Sequence, residues 1–97
     1  MPQSRRKYER KSVICDAQIL MDDQVIACEI KDISAGGASA LAAEKLDDAR
    51  QTVTLSIRPF GDFTCDVAWK NGKRLGLRFH NDPEMMAEIV LAMAVYG

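Results

Sequence analysis

The chain has 97 residues, 47% of them hydrophobic and 28% charged, with a formal net charge of −1. That is one domain's worth of sequence, too short for a doubly wound cofactor fold with a second domain or for a large barrel enzyme. It is too apolar for a disordered chain, and its near-neutral total sets up no global field for a nucleic acid or a membrane.

Charge is unevenly placed. Residues 1–11 hold Arg5, Arg6, Lys7, Arg10 and Lys11 against Glu9 alone, a local charge of +4 that leaves −5 on the remainder. A cationic arm on an acidic body suits a compact anion, with a solvated tail as the plain alternative. The chain accordingly divides into a flexible basic arm over 1–11 and a compact body over 12–97. No apolar stretch backs the basic start, so no secretory signal is read. The longest apolar run, Ile89 to Tyr96, falls well short of the ~20 residues of a membrane span. A cytoplasmic protein without membrane insertion is expected.

In the first half, Val13, Cys15, Ala17 and Ile19 alternate with polar residues, as a half-buried strand should. Asp22-Asp23-Gln24 reads as a turn and Val25–Lys31 as the returning strand. Its inward set, Ile26, Cys28 and Ile30, loses parity at Ile33, which implies a bulge or a strand end near Asp32. Ala42–Ala49 is open between one or two helical turns and an irregular excursion.

The second half is clearer. Val53, Leu55 and Ile57 share one face of a strand over 52–58. In 63–70 the odd positions Phe63, Cys65, Val67 and Trp69 share a face, and Leu75, Leu77 and Phe79 do so in the next segment. Pro59, Gly61 and Asp62 punctuate the first pair, and Asn71-Gly72 signals a tight hairpin. Residues 51–80 thus read as a three-stranded meander. Five or six strands of this length suggest a small, closed or nearly closed antiparallel barrel.

Asp82 is a good N-cap, Pro83 a natural first helical residue, and Met86, Ile89, Val90 and Met93 recur at helical spacing. The reading is a C-terminal helix over 83–96. Leu91, Ala92, Val95 and Tyr96 keep its other side apolar, so the helix end tucks against a barrel mouth or offers a surface to a partner or a homodimer.

Little in this chain suits catalysis. Cys15, Cys28 and Cys65 form no CxxC and are odd in number, which fits small buried hydrophobes in a reducing compartment better than disulfides or zinc ligands. His80 is the only histidine, and HExxH, GxSxG and Walker-type GxxxxGK patterns are absent. An enzyme, a metal or a bound cofactor is not expected.

Two local patterns remain. Arg6-Lys7-Tyr8-Glu9-Arg10 is an RxxxR with Arg5 before it, and Asp32-Ile33-Ser34-Ala35-Gly36-Gly37 is a DxSxxG where the second strand loses its alternation. In this order, ahead of a small barrel and a closing Leu75-Gly76-Leu77-Arg78-Phe79 run, they resemble the PilZ domain, the bacterial receptor module for cyclic di-GMP. The resemblance covers nearly the whole chain. It implies a mainly β fold, a six-stranded antiparallel barrel with a C-terminal helix, and a receptor that relays its signal to an unknown downstream protein.

Matched residue by residue, Arg6 and Arg10 would be the paired ligand arginines, and Asp32, Ser34, Gly36 and Gly37 the barrel-side half of the site. Arg5, directly before the RxxxR, implies an intercalated pair of ligands. Trp69 could flank the bases; a core or barrel-rim indole without that role is the alternative. Ser39-Ala40 departs from the family, which usually carries bulkier or charged residues there. The chemistry suits the residues: guanidinium groups fork onto phosphate oxygens, and a carboxylate can accept both donors of a guanine edge. A ligand-free interaction module and a small nucleic-acid-binding barrel are the rival readings. The second is disfavoured by an acidic body and only six aromatics.

Overall fold

A computed structural model describes residues 15–46 and 52–96. Six strands, β1 (Cys15–Met21), β2 (Gln24–Ile33), β3 (Gly37–Ala42), β4 (Thr52–Ile57), β5 (Gly61–Asn71) and β6 (Arg74–Phe79), precede one helix, α1 (Pro83–Tyr96). The strands close in the order β1-β2-β3-β6-β5-β4, every neighbouring pair antiparallel. Closure removes the free edges that an open sheet of this size would expose. The mainly β barrel with a C-terminal helix agrees with the sequence reading.

Alternation explains what lies inside. Ala17 and Ile19, then Ile26, Cys28, Ile30 and Ile33, then Val53, Leu55 and Ile57 all turn inward and are buried. The parity change before Ile33 is a register shift between Ile30 and Asp32, so the extra residue is Lys31. That bulge lets both Ile30 and Ile33 reach the core, each fully buried, where burial of such a side chain is worth ~1.5–3 kcal/mol. The inward residues of β3 are Ala38, Ala40 and Ala42, and two of them lie opposite Leu77 and Leu75 of β6. Small residues on β3 thus make room for large ones on its neighbours, as a narrow barrel requires.

Several boundaries differ from the sequence reading. Asp22 and Asp23 alone form the first turn, with Gln24 already paired to Met21. The β5–β6 hairpin turns on Gly72-Lys73 rather than Asn71-Gly72, with Asn71 paired to Arg74. Gly72 has φ +64° and Lys73 is not positive, the φ pattern of a II′ turn with glycine first. Residues 43–46 are not helical; the chain bends and buries Leu46 against the core, while the exposed Lys70 donates its Nζ to the Leu46 carbonyl at 3.2 Å. The rest of the expected 42–49 excursion lies outside the described residues.

Helix α1 starts as its sequence suggests. The Asp82 Oδ1 accepts from the Glu84 N–H at 3.2 Å, and the Asp82 carbonyl accepts from the Met86 N–H at 3.0 Å. Met86, Val90 and Met93 join the barrel core, while Leu91 and Val95 remain 59% and 67% exposed on another face. No helix among the described residues is long and apolar enough to cross a membrane.

Candidate functional site

The DxSxxG segment sits at the end of β2 and the start of β3, where the bulge at Lys31 has turned the strand. Ser34 is buried and shapes this corner. Its Oγ accepts from the Gly36 N–H at 3.2 Å and lies 3.4 Å from the Gly37 carbonyl, which also accepts from the Ser34 N–H at 2.8 Å. The Gly36 carbonyl accepts from the Phe79 N–H at 2.9 Å, which fastens the corner to β6. Gly37 is needed for that contact: a Cβ there would overlap the Leu77 carbonyl oxygen and lie 3.3 Å from the Arg78 Cα, both backbone atoms.

Register then assembles the outer face. Asp32 lies opposite Ser39, Ser39 opposite Gly76, and Gly76 opposite Trp69, so one transverse row runs over β2, β3, β6 and β5. Three strand spacings make this row about 14 Å long. A cleft of about 480 Å³ lies over it, lined also by Gly36, Gly37, Arg74 and Arg78. Its floor is low because Ser39 and Gly76 are small.

Trp69 departs from the parity expected of it. A register shift between Val67 and Trp69 breaks the inward face of β5 at Ala68 and sends the indole outward, 47% exposed. It is a rim residue and not a core one. The ring lies across Gly76, where any Cβ would overlap its Nε1 and Cε2. The glycine and the tryptophan are therefore a matched pair, since only a missing side chain lets the ring settle on the strand.

Cationic groups flank the row. Arg78 Nη2 lies 3.7 Å from the Asp66 Oδ2. Asp66 is itself held by the His80 Nε2, which donates at 2.8 Å, and by the Thr52 Oγ1 at 3.2 Å. The hydrogen bond from His80 is the main cause holding the Asp66 carboxyl below its usual value, assisted by Thr52 and by the charge of Arg78. This chain of contacts tethers Arg78 beside the cleft.

The sequence reading therefore placed five of its residues together: Asp32, Ser34, Gly36, Gly37 and Trp69 all line one cleft. Arg5, Arg6 and Arg10 lie outside the described residues. Ser39, Arg74, Gly76 and Arg78 were missed as site residues. Gly76 carried a signal, as a lone glycine inside an alternating strand marks a close approach. A second groove of about 560 Å³, over Gln18, Ala27, Cys28, Ser56 and Arg58, contains none of the expected ligand-binding residues. No group of three or more metal-ligating side chains occurs among the described residues.

The sequence matches the PilZ domain family over residues 4–97, nearly its whole length and including the RxxxR. The chain belongs to the PilZ family. No curated protein sequence matches it. Among solved structures, this PilZ chain resembles the PilZ domain of YcgR from Escherichia coli, determined with c-di-GMP (TM-score 0.69, 19% identity, 95% of this chain and 93% of that one). It also resembles the Bacillus subtilis inhibitor of motility MotI/DgrA (TM-score 0.67, 19% identity, 96% and 52%). A longer Escherichia coli YcgR chain in complex with c-di-GMP matches too (TM-score 0.62, 23% identity, 94% and 45%). At these identities the likeness is one of fold. This chain spans about half the length of MotI/DgrA and of the longer YcgR.

Proposed function

We propose that this PilZ protein is a non-enzymatic receptor for cyclic di-GMP, held between the basic arm and the cleft over Asp32, Ser39, Gly76 and Trp69. The observation that carries this reading is the transverse row itself. It sets a carboxylate at one end, an indole at the other and arginines alongside, over a floor low enough for a flat molecule. The Asp32 carboxylate accepts the N1–H and N2–H of one guanine. The Trp69 indole, lying flat on Gly76, offers a face to a base. Arg6 and Arg10 close over the ligand with forked hydrogen bonds to its phosphates. Ser34 keeps its hydroxyl on the turn and acts by holding Gly36 and Gly37 in place. YcgR, similar in fold, is known in complex with c-di-GMP.

Magnitudes make the proposal workable. Four or five charge-assisted hydrogen bonds at ~1.5–3 kcal/mol each oppose an ordering cost of ~1–2 kcal/mol per arm residue. The two sums are of similar size, so stacking of the bases carries the net affinity. Arg5 ahead of the RxxxR favours two ligands per protein. Closure of the arm changes the surface offered to a downstream protein, which is how the signal leaves.

Calorimetric titration with cyclic di-GMP tests this directly. Saturable binding near two ligands per chain is expected, weakened at least about tenfold in Arg6→Ala or Arg10→Ala. Full-affinity binding by both variants removes the arm from the site. No binding by the wild type leaves the ligand-free interaction module, and steeply salt-dependent binding of an unrelated oligonucleotide in its place leaves the nucleic-acid reading.

A further inference from the structure

Ser39 stands in the middle of the cleft floor, between Asp32 on β2 and Gly76 on β6. The residue is 8% exposed, lines the cleft, and its Oγ is buried with no hydrogen-bond partner. A hydroxyl left this way is costly, because it gives up water and receives nothing in return. Ser34 and Ser56, the other buried serines among the described residues, leave no such orphan oxygen. Alanine is serine without the hydroxyl and would fit the same space. Serine at position 39 is thus unfavourable for the empty barrel, and the fold itself gives no reason for it.

We infer that Ser39 is a ligand-binding residue, whose hydroxyl completes its hydrogen bonding only when a polar edge or phosphodiester oxygen of the bound nucleotide lies in the cleft. The oxygen is sheltered, so the ligand draws it out by a step of χ1 from one staggered well to another. Placed one strand from Asp32 and one from Gly76, it addresses the middle of a molecule whose ends meet the carboxylate and the indole. This assignment rests on the cyclic di-GMP reading above and adds a contact that neither the RxxxR nor the DxSxxG contains.

The test is Ser39→Ala in the full chain, read by two measurements whose signs oppose each other. The thermal midpoint of the ligand-free variant is expected to equal or exceed that of the wild type, by up to about 5 °C, because an unsatisfied buried hydroxyl has gone. Its affinity for cyclic di-GMP is expected to fall roughly tenfold. A midpoint lowered by more than about 4 °C means that the hydroxyl has a partner within the protein and overturns the inference. Unchanged affinity beside a binding wild type also overturns it, while leaving the receptor reading intact. A wild type that does not bind overturns the receptor reading itself, and the ligand role of Ser39 with it.

Discussion

Replacing Gly76 with alanine adds one carbon where the Trp69 ring now lies. The obstacle is a side chain and not backbone, so the strand pairing should persist while the indole swings out. About half of the ring is covered at present, Trp69 being 47% exposed. Losing about 100 Å² of apolar contact costs ~2.5 kcal/mol, against a gain of ~0.5–1 kcal/mol for alanine over glycine in a strand. The net loss of about 1.5–2 kcal/mol lowers the melting midpoint by roughly 6–16 °C for a domain of this size. Trp69 is the only tryptophan of the chain, so its fluorescence reports the ring without interference. The emission maximum of Gly76→Ala should move to the red, with circular dichroism of the barrel retained and cyclic di-GMP affinity reduced. Wild-type emission and an unchanged midpoint would refute the stacking of the indole on Gly76.

Acid sensitivity and thiol reactivity provide two further checks. The Asp66 carboxyl titrates below its ordinary value of 3.8, chiefly because His80 donates to it, so it stabilises the fold above that value and this contribution is lost as pH falls through the lowered one. Asp66→Asn should flatten the acid limb of a midpoint-against-pH curve below pH 3.8, and an unchanged limb would dismiss the tether. Burial pushes the Cys28 thiol up to about 11 and the Cys65 thiol up to about 12, whereas Cys15 is partly exposed and raised less far. Brief treatment of native protein with a disulfide reagent near pH 8, followed by peptide mapping, should find Cys15 modified and the other two untouched. Rapid modification of Cys65 would contradict a closed barrel.

The strands that alternate large aliphatics with polar residues were legible without coordinates, and so was the helix with its Asp82-Pro83 start. β3 was not. Its sequence, Gly37-Ala38-Ser39-Ala40-Leu41-Ala42, has low intrinsic strand preference, and only its neighbours Leu75 and Leu77 explain why alanines belong there. The same limit hid part of the site. Asp32 and Gly37 announce themselves by spacing, but Ser39, Gly76 and Trp69 meet only through cross-strand register. Two bulges, at Lys31 and Ala68, decide which side of the wall a residue faces, and simple alternation misassigned Trp69 for that reason.

That row has a mechanical corollary. Asp32 and Ser39 come from the β2–β3 half of the barrel, Gly76 and Trp69 from the β5–β6 hairpin, and the two halves meet along the β3–β6 ladder. A guest touching both ends would act as a brace across this join. Whatever fraction of molecules opens there would shrink as occupancy rises, so amide protons flanking Ser39 and Gly76 should slow more on ligand addition than those on β1 and β4, at the far side of the wall.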